Sequence, residues 1–168
     1  MAVTFCLFLA LVIAQRISEL WLSRRNERWL RSQGAVEFGR SHYPFIVTLH
    51  VAFFVSLAIE VLIFGRTPAT WWWLPLSFFL LAQMIRYWSI ATLGQRWNTR
   101  ILVLPDSRPI NRGPYRYLRH PNYLAVALEF LTIPLIFQAY FTAVIFSILN
   151  AILMSIRIPT EERALFKA

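Results

Sequence analysis

The chain reads as an all-α integral membrane protein of about five transmembrane helices, the last two forming a helical hairpin. Three observations predict this. Hydrophobic residues make up 58% of the sequence against 15% charged, and mean hydropathy is +0.52, too apolar for an ordinary soluble domain. Apolar runs of membrane-crossing length recur along it. The net charge of +9 is also unevenly spread, with arginines gathered in three segments. At 168 residues one compact unit is expected, so residues 1–168 read as a single membrane-embedded domain.

The first span runs from about Val3 to Trp21. Its apolar start lacks the preceding positive charge of a signal peptide, and Arg16 and Glu19 follow as a helical i,i+3 pair, so it reads as a retained span. The basic stretch from Ser23 to Arg31 continues that helix into a headgroup region, with Trp21 and Trp29 suited to the interface. Gly34 and Gly39 break the pattern before a second span, about Tyr43 to Phe64. A third begins at the aromatic belt Trp71-Trp72-Trp73 and ends near Leu93. A long polar connection, Gly94 to Asn122, follows. Within it, Arg100 to Pro105 reads as a short strand and Pro105 to Pro109 as a turn. Two short apolar stretches, Tyr123 to Phe137 and Phe141 to Ile156, make the hairpin, reversing at Gln138-Ala139-Tyr140. The tail runs from Arg157 to Ala168, with Thr160 as the expected cap of a new helix whose first turn holds Glu161 and Glu162.

Arginine bias sets the expected orientation. Arg24, Arg25, Arg28, Arg31 and Arg40 follow span one, six arginines from Arg96 to Arg119 follow span three, and Arg157, Arg163 and Lys167 lie in the tail. Five spans with the N-terminus outside and the C-terminus cytoplasmic put all three groups on one side. The arginines are thereby explained by membrane lipids, and a nucleic-acid partner is not expected. The single cysteine, Cys6, excludes an intrachain disulfide and a cysteine-rich metal site, and no metal is expected.

Ionisable residues inside spans point to function by default. With a rise of ~1.5 Å per residue, His50, Arg86 and Glu129 each lie roughly 10 Å below the basic end of their helices. Singly, each reads as interhelical glue. Together they also read as the floor of a cavity that holds a substrate. Glu60, near the far end of its span, reads as structural.

The stretch Gly113-Pro114-Tyr115-Arg116-Tyr117-Leu118-Arg119-His120-Pro121-Asn122-Tyr123 is basic, aromatic and punctuated by two prolines. Proline biases the residue before it away from helix, so His120 is expected in a turn or extended conformation just ahead of a new helix.

These residues, followed by a hydrophobic hairpin and then Glu161-Glu162, resemble the isoprenylcysteine carboxyl methyltransferase family, whose C-terminal pattern the phospholipid methyltransferases share. The small bacterial members are the nearer likeness, through Arg86-Tyr87-Trp88, Leu93-Gly94, Gly34 to Glu37 and His50. The likeness is most specific from Arg86 to Glu162, and it marks residues 86–168 as the cofactor-binding half. It implies S-adenosylmethionine as cofactor. It gives Tyr115, Arg119, His120 and Tyr123 to the cofactor wall and Glu161 and Glu162 to the acidic pair that holds the donor. Arg157 stands near the methyl acceptor, and with Glu162 it is the implied catalytic residue. The implied activity is O-methylation of a lipophilic acceptor, an isoprenylcysteine-type carboxylate or a phenolic lipid such as an alkylpyrone. It would take place at the cytoplasmic face of a bacterial inner membrane. The chain is shorter than the eukaryotic enzymes and has no long tail after the acidic pair.

Two other readings compete. An NADPH-dependent sterol-type reductase shares a similar Arg-His-Pro-x-Tyr pattern but continues past the point where this chain stops. A non-catalytic membrane scaffold would bind no cofactor.

Overall fold

The structure, a computed structural model, describes residues 2–105, 107 and 109–167. Helix α1 (Ala2–Ser32) is followed by a three-residue strand β1 (Val36–Phe38), helix α2 (Tyr43–Leu62) and helix α3 (Trp73–Leu93). Strand β2 (Ile101–Val103), helix α4 (Pro121–Ile136) and helix α5 (Tyr140–Lys167) complete the chain. Four of these helices are long and apolar enough to cross a membrane, and α4 is a shorter apolar one. The chain is thus an all-α membrane protein. Asp106 and Arg108 of the expected turn lie outside the described residues.

The helices share an apolar, phenylalanine-rich core. Phe5 and Val12 of α1, Phe53 and Leu57 of α2, Phe79 of α3, Phe130 of α4 and Phe146 of α5 share one core. The Phe53 and Phe130 rings sit 4.5 Å apart and Phe5 meets Phe137 edge-on at 5.0 Å. The outward faces are equally apolar: Val3, Leu7 and Leu11 form an exposed stripe at i, i+4, i+8 on α1. In water such a stripe would be a liability, but in lipid it has no reason to hide.

Strands β1 and β2 pair antiparallel, with Glu37 opposite Leu102. The β2 strand was expected; its partner, between Gly34 and Gly39, was not. Glu37 ties the ribbon down by accepting from Arg31 at 2.5 Å and from Arg100 at 2.6 Å.

One expectation is corrected. Helix α5 does not stop near Ile156 and restart at Thr160; it runs unbroken through Pro159. Thr160 is no cap, since its hydroxyl donates back to the Ile156 carbonyl at 2.8 Å. Proline removes one backbone bond from a helix. The segment beyond it is nevertheless held, because Ala164 and Leu165 pack against Ile101, Val103 and Phe38. The start of α5 is capped from another helix. Glu60 on α2 accepts from the backbone of Phe141 at 3.2 Å and of Thr142 at 2.8 Å, and from the Thr142 hydroxyl at 2.7 Å.

Candidate active site

The proline-punctuated stretch folds down onto the basic end of the bundle. Gly113 has φ +59°, and a Cβ there would lie 2.3 Å from the Thr92 hydroxyl, so only glycine lets this segment sit against α3. A 3-10 turn, Gly113–Arg116, brings Tyr115 to the start of α4, where the Asn122 amide donates to its hydroxyl at 3.0 Å. His120 stands outside the helix, with φ −132° and ψ 64°, and Pro121 opens α4.

Helix α4 then meets the end of α5. His120 Nε2 lies 3.1 Å from Glu162 Oε1, and its ring stacks on Tyr123 at 5.4 Å. The Tyr123 hydroxyl donates to Glu161 and accepts from Arg157 Nε at 3.0 Å. Arg157 Nη2 donates to the Thr99 carbonyl at 2.5 Å. Arg157 and Glu161 are four residues apart, so one helical face delivers both. Arg157 is buried, while the Glu162 side chain is 37% exposed. Burial, and then the Glu161 charge, push the Tyr115 phenol above its usual range, so it remains a neutral hydrogen-bonding group. Two carboxylates face one guanidinium here. Arg119, by contrast, is exposed and makes no bond to this cluster among the described residues.

The deeper polar residues form a second cluster. Arg86 Nη2 donates to Glu129, and Arg16 Nη2 donates to the same carboxylate. Arg16 also bonds Glu19 at 2.5 Å, and Arg86 lies 3.4 Å from it. Gln15 and Gln83 close the network: Gln15 donates to Glu19 at 2.9 Å and to Gln83 at 2.5 Å, and Gln83 donates to Glu129 at 2.5 Å. Three helices, α1, α3 and α4, are joined by a neutral set of two arginines and two glutamates.

His50 lies at this depth but outside that network. Its ring meets Phe130 edge-on at 5.0 Å, and its Nδ1 sits 2.8 Å from the Ile46 carbonyl. A carbonyl only accepts, so Nδ1 carries the proton and Nε2 presents a lone pair. Helices α2 and α5 run antiparallel, with Ser56 bonded to Thr142 and Phe53 against Phe146. That register sets His50 level with Asn150, a buried residue whose Oδ1 has no partner.

Sequence reasoning missed Ser23, Tyr43, Asn98, Thr99 and Asn150. Single polar residues of this kind carry no periodic signal, and Thr99 meets Tyr43 and Ser23 across 56 and 76 residues of chain. Two hollows lie away from both clusters. One of about 210 Å³ is bounded by Phe5, Val61 and Phe137, and an open one of about 360 Å³ by Trp29, Arg96 and Leu104. Among the described residues no three His, Cys, Asp or Glu side chains are grouped to hold a metal.

The sequence model of the isoprenylcysteine carboxyl methyltransferase family matches residues 73–167. The chain belongs to this family. The family segment contains α3, the proline-punctuated stretch, α4 and α5, and hence His120, Tyr123, Arg157, Glu161 and Glu162. Helices α1 and α2, with His50, precede it. Over 161 residues, 96% of both chains, the sequence is 48% identical to "Uncharacterized protein YpbQ" of Bacillus subtilis. It is 30% identical to an "Uncharacterized protein" of Haemophilus influenzae, over 93% of this chain and 91% of that one. No solved structure matches the chain. Family membership and the long apolar helices together make this a methyltransferase-like integral membrane protein.

Proposed function

We propose that the protein transfers a methyl group from S-adenosylmethionine to an oxygen of a lipophilic acceptor, at the cytoplasmic face of a bacterial inner membrane. The observation that carries this reading is the acid-rich cluster where α4 meets α5, inside the family segment. Glu161 and Glu162 outnumber Arg157, so the cluster suits a ligand with positive charge and hydroxyls. Asn122 Oδ1 is buried without a partner and offers an acceptor to a ligand N–H or O–H. These residues fit the donor: Glu161 and Glu162 would hold its cationic and ribose groups, with Tyr115, His120 and Tyr123 as an aromatic wall. Bound there, the donor supplies an electrophilic methyl on a sulfonium.

The chain's own part is alignment and exclusion of water, which can contribute ~7–11 kcal/mol. Tyr123 links Arg157 to Glu161 and so fixes the guanidinium beside the acidic pair. Arg157 would orient the acceptor oxygen, by an ion pair if that oxygen belongs to a carboxylate. For a phenolic acceptor, which must lose its proton, His50 Nε2 is the base within the membrane part of the bundle. Arg86 and Glu129 spend their bonds on neighbouring helices and hold the scaffold rather than the substrate.

Calorimetric titration of S-adenosylmethionine and of NADPH into the detergent-solubilised protein tests the reading. Binding of the first and not the second is expected. NADPH binding alone would replace it with a reductase, and binding of neither with a scaffold. Tritium transfer from methyl-labelled donor into a total lipid extract is the companion assay.

A further inference from the structure

Helix α1 lies outside the family segment, yet it reaches the candidate site through one hydroxyl. Ser23 is buried in the lower part of α1. A serine within a helix commonly bonds back to its own preceding turn. Ser23 instead directs its bonds to the connection after α3. Its Oγ accepts from the Thr99 amide at 3.0 Å and lies 2.9 Å from the Thr99 hydroxyl and 3.2 Å from Asn98 Oδ1, to which it donates. Its own carbonyl accepts from the Asn98 amide at 2.9 Å. One turn later Asn26 donates to the carbonyls of Gly94 at 3.2 Å and Trp97 at 2.7 Å, so the start of the connection, Gly94 to Thr99, is seated on α1.

Asn98 Oδ1 also accepts from the Arg100 amide at 2.8 Å. That N–H shares a peptide plane with the Thr99 carbonyl, so fixing one fixes the other. The Thr99 carbonyl is the group that takes Arg157 Nη2, while Nε goes to Tyr123. With two nitrogens anchored, the third, Nη1, has no bond among the described residues and is the nitrogen left for a ligand oxygen. Tyr43 of α2 leans on the same residue, its hydroxyl 3.3 Å from Thr99 Oγ1.

We infer that Ser23, acting through Asn98 and the Thr99 carbonyl, is a positioning residue that sets the orientation of Arg157 for the acceptor. The inference rests on the proposed methyl transfer. It also makes α1 part of the catalytic apparatus instead of a mere anchor.

The test is a double-mutant cycle on the full-length protein in detergent, with Ser23→Ala, Arg157→Lys and the pair. The readouts are donor affinity and tritium transfer from labelled S-adenosylmethionine into a total lipid extract. Ser23→Ala is expected to leave donor affinity within about twofold and to slow transfer on the order of tenfold, the scale of one hydrogen bond to a charged group. In the Arg157→Lys background it should change transfer by less than about twofold, because the group it orients is gone. Asn98→Ala run through the same cycle should give the same pattern, and it serves if Ser23→Ala is too unstable to purify. Losses that multiply across the pair overturn the inference, as does a Ser23→Ala rate equal to wild type or a collapse of donor affinity. Wild-type protein that binds no donor and transfers no label overturns the proposed function and this inference with it.

Discussion

Two polar clusters in this bundle are built from nearly the same residue types and have opposite characters. The deep one balances two arginines against two glutamates, and its charged groups are met by one another or by Gln15 and Gln83. Glu19, Arg86 and Glu129 are each nine-tenths buried or more. The outer one sets Glu161 and Glu162 beside one guanidinium, Arg157, and the His120 imidazole, leaves Glu162 partly exposed, and keeps Asn122 Oδ1 unpartnered. A charge-balanced, buried cluster in lipid fastens helices, even with Arg86 Nε left without a partner. An unbalanced, partly open one has capacity left for something else. The difference lies in charge balance and exposure, since each cluster keeps a buried unpartnered atom, Arg86 Nε in the deep one and Asn122 Oδ1 in the outer.

The comparison breaks most visibly if the deep cluster is opened. Arg86→Ala leaves buried carboxylates short of a partner and should destabilise the fold by about 3–5 kcal/mol, read as a melting temperature lowered by about 10 °C in detergent. Replacing both partners, Arg86→Met with Glu129→Leu, should melt closer to wild type than either single change, since no lone charge stays buried. A double variant less stable than both singles would show that the cluster does more than fasten. In the outer cluster Glu162→Gln should do the reverse. Titration should find donor affinity down on the order of tenfold while the melting temperature moves by no more than about 2 °C. Unchanged affinity would remove the acidic pair from the site.

The smallest effect concerns a third group, Glu37. Burial alone would raise its pKa, but the hydrogen bonds from Arg31 and Arg100 outweigh it and hold the carboxyl below its usual 4.5. A lowered pKa stabilises the fold fully above that value, and the contribution is lost as pH falls through the folded pKa. Melting curves from pH 6 downward should therefore show a small loss below about 4.5 that Glu37→Gln abolishes.

Much of this was legible beforehand. The apolar runs of α1, α2 and α3 end within a few residues of where the sequence puts them, because lipid demands long uninterrupted apolar helices and nothing local competes. The reversal at Gln138 and the non-helical His120 follow from proline chemistry and short-range pattern. Thr160 misled for the same reason: a local capping rule placed a helix start where distant packing on β2 carries α5 through. The depth estimate rightly paired Arg86 with Glu129 but could not say that Arg16 and Glu19 would join them and His50 would not.

What the sequence by itself determined is membrane residence, the order of the helices, the basic end, and the proline-marked motif with its acidic pair. Those are properties of periodicity, composition and short spacing. Only the tertiary structure decided which polar residues are saturated and which are not. It alone showed that Ser23 on the first helix is connected to Arg157 on the last. Hydrogen bonds are short and directional, so a partner more than 70 residues away is specified by how helices pack, and no pattern along the chain records it.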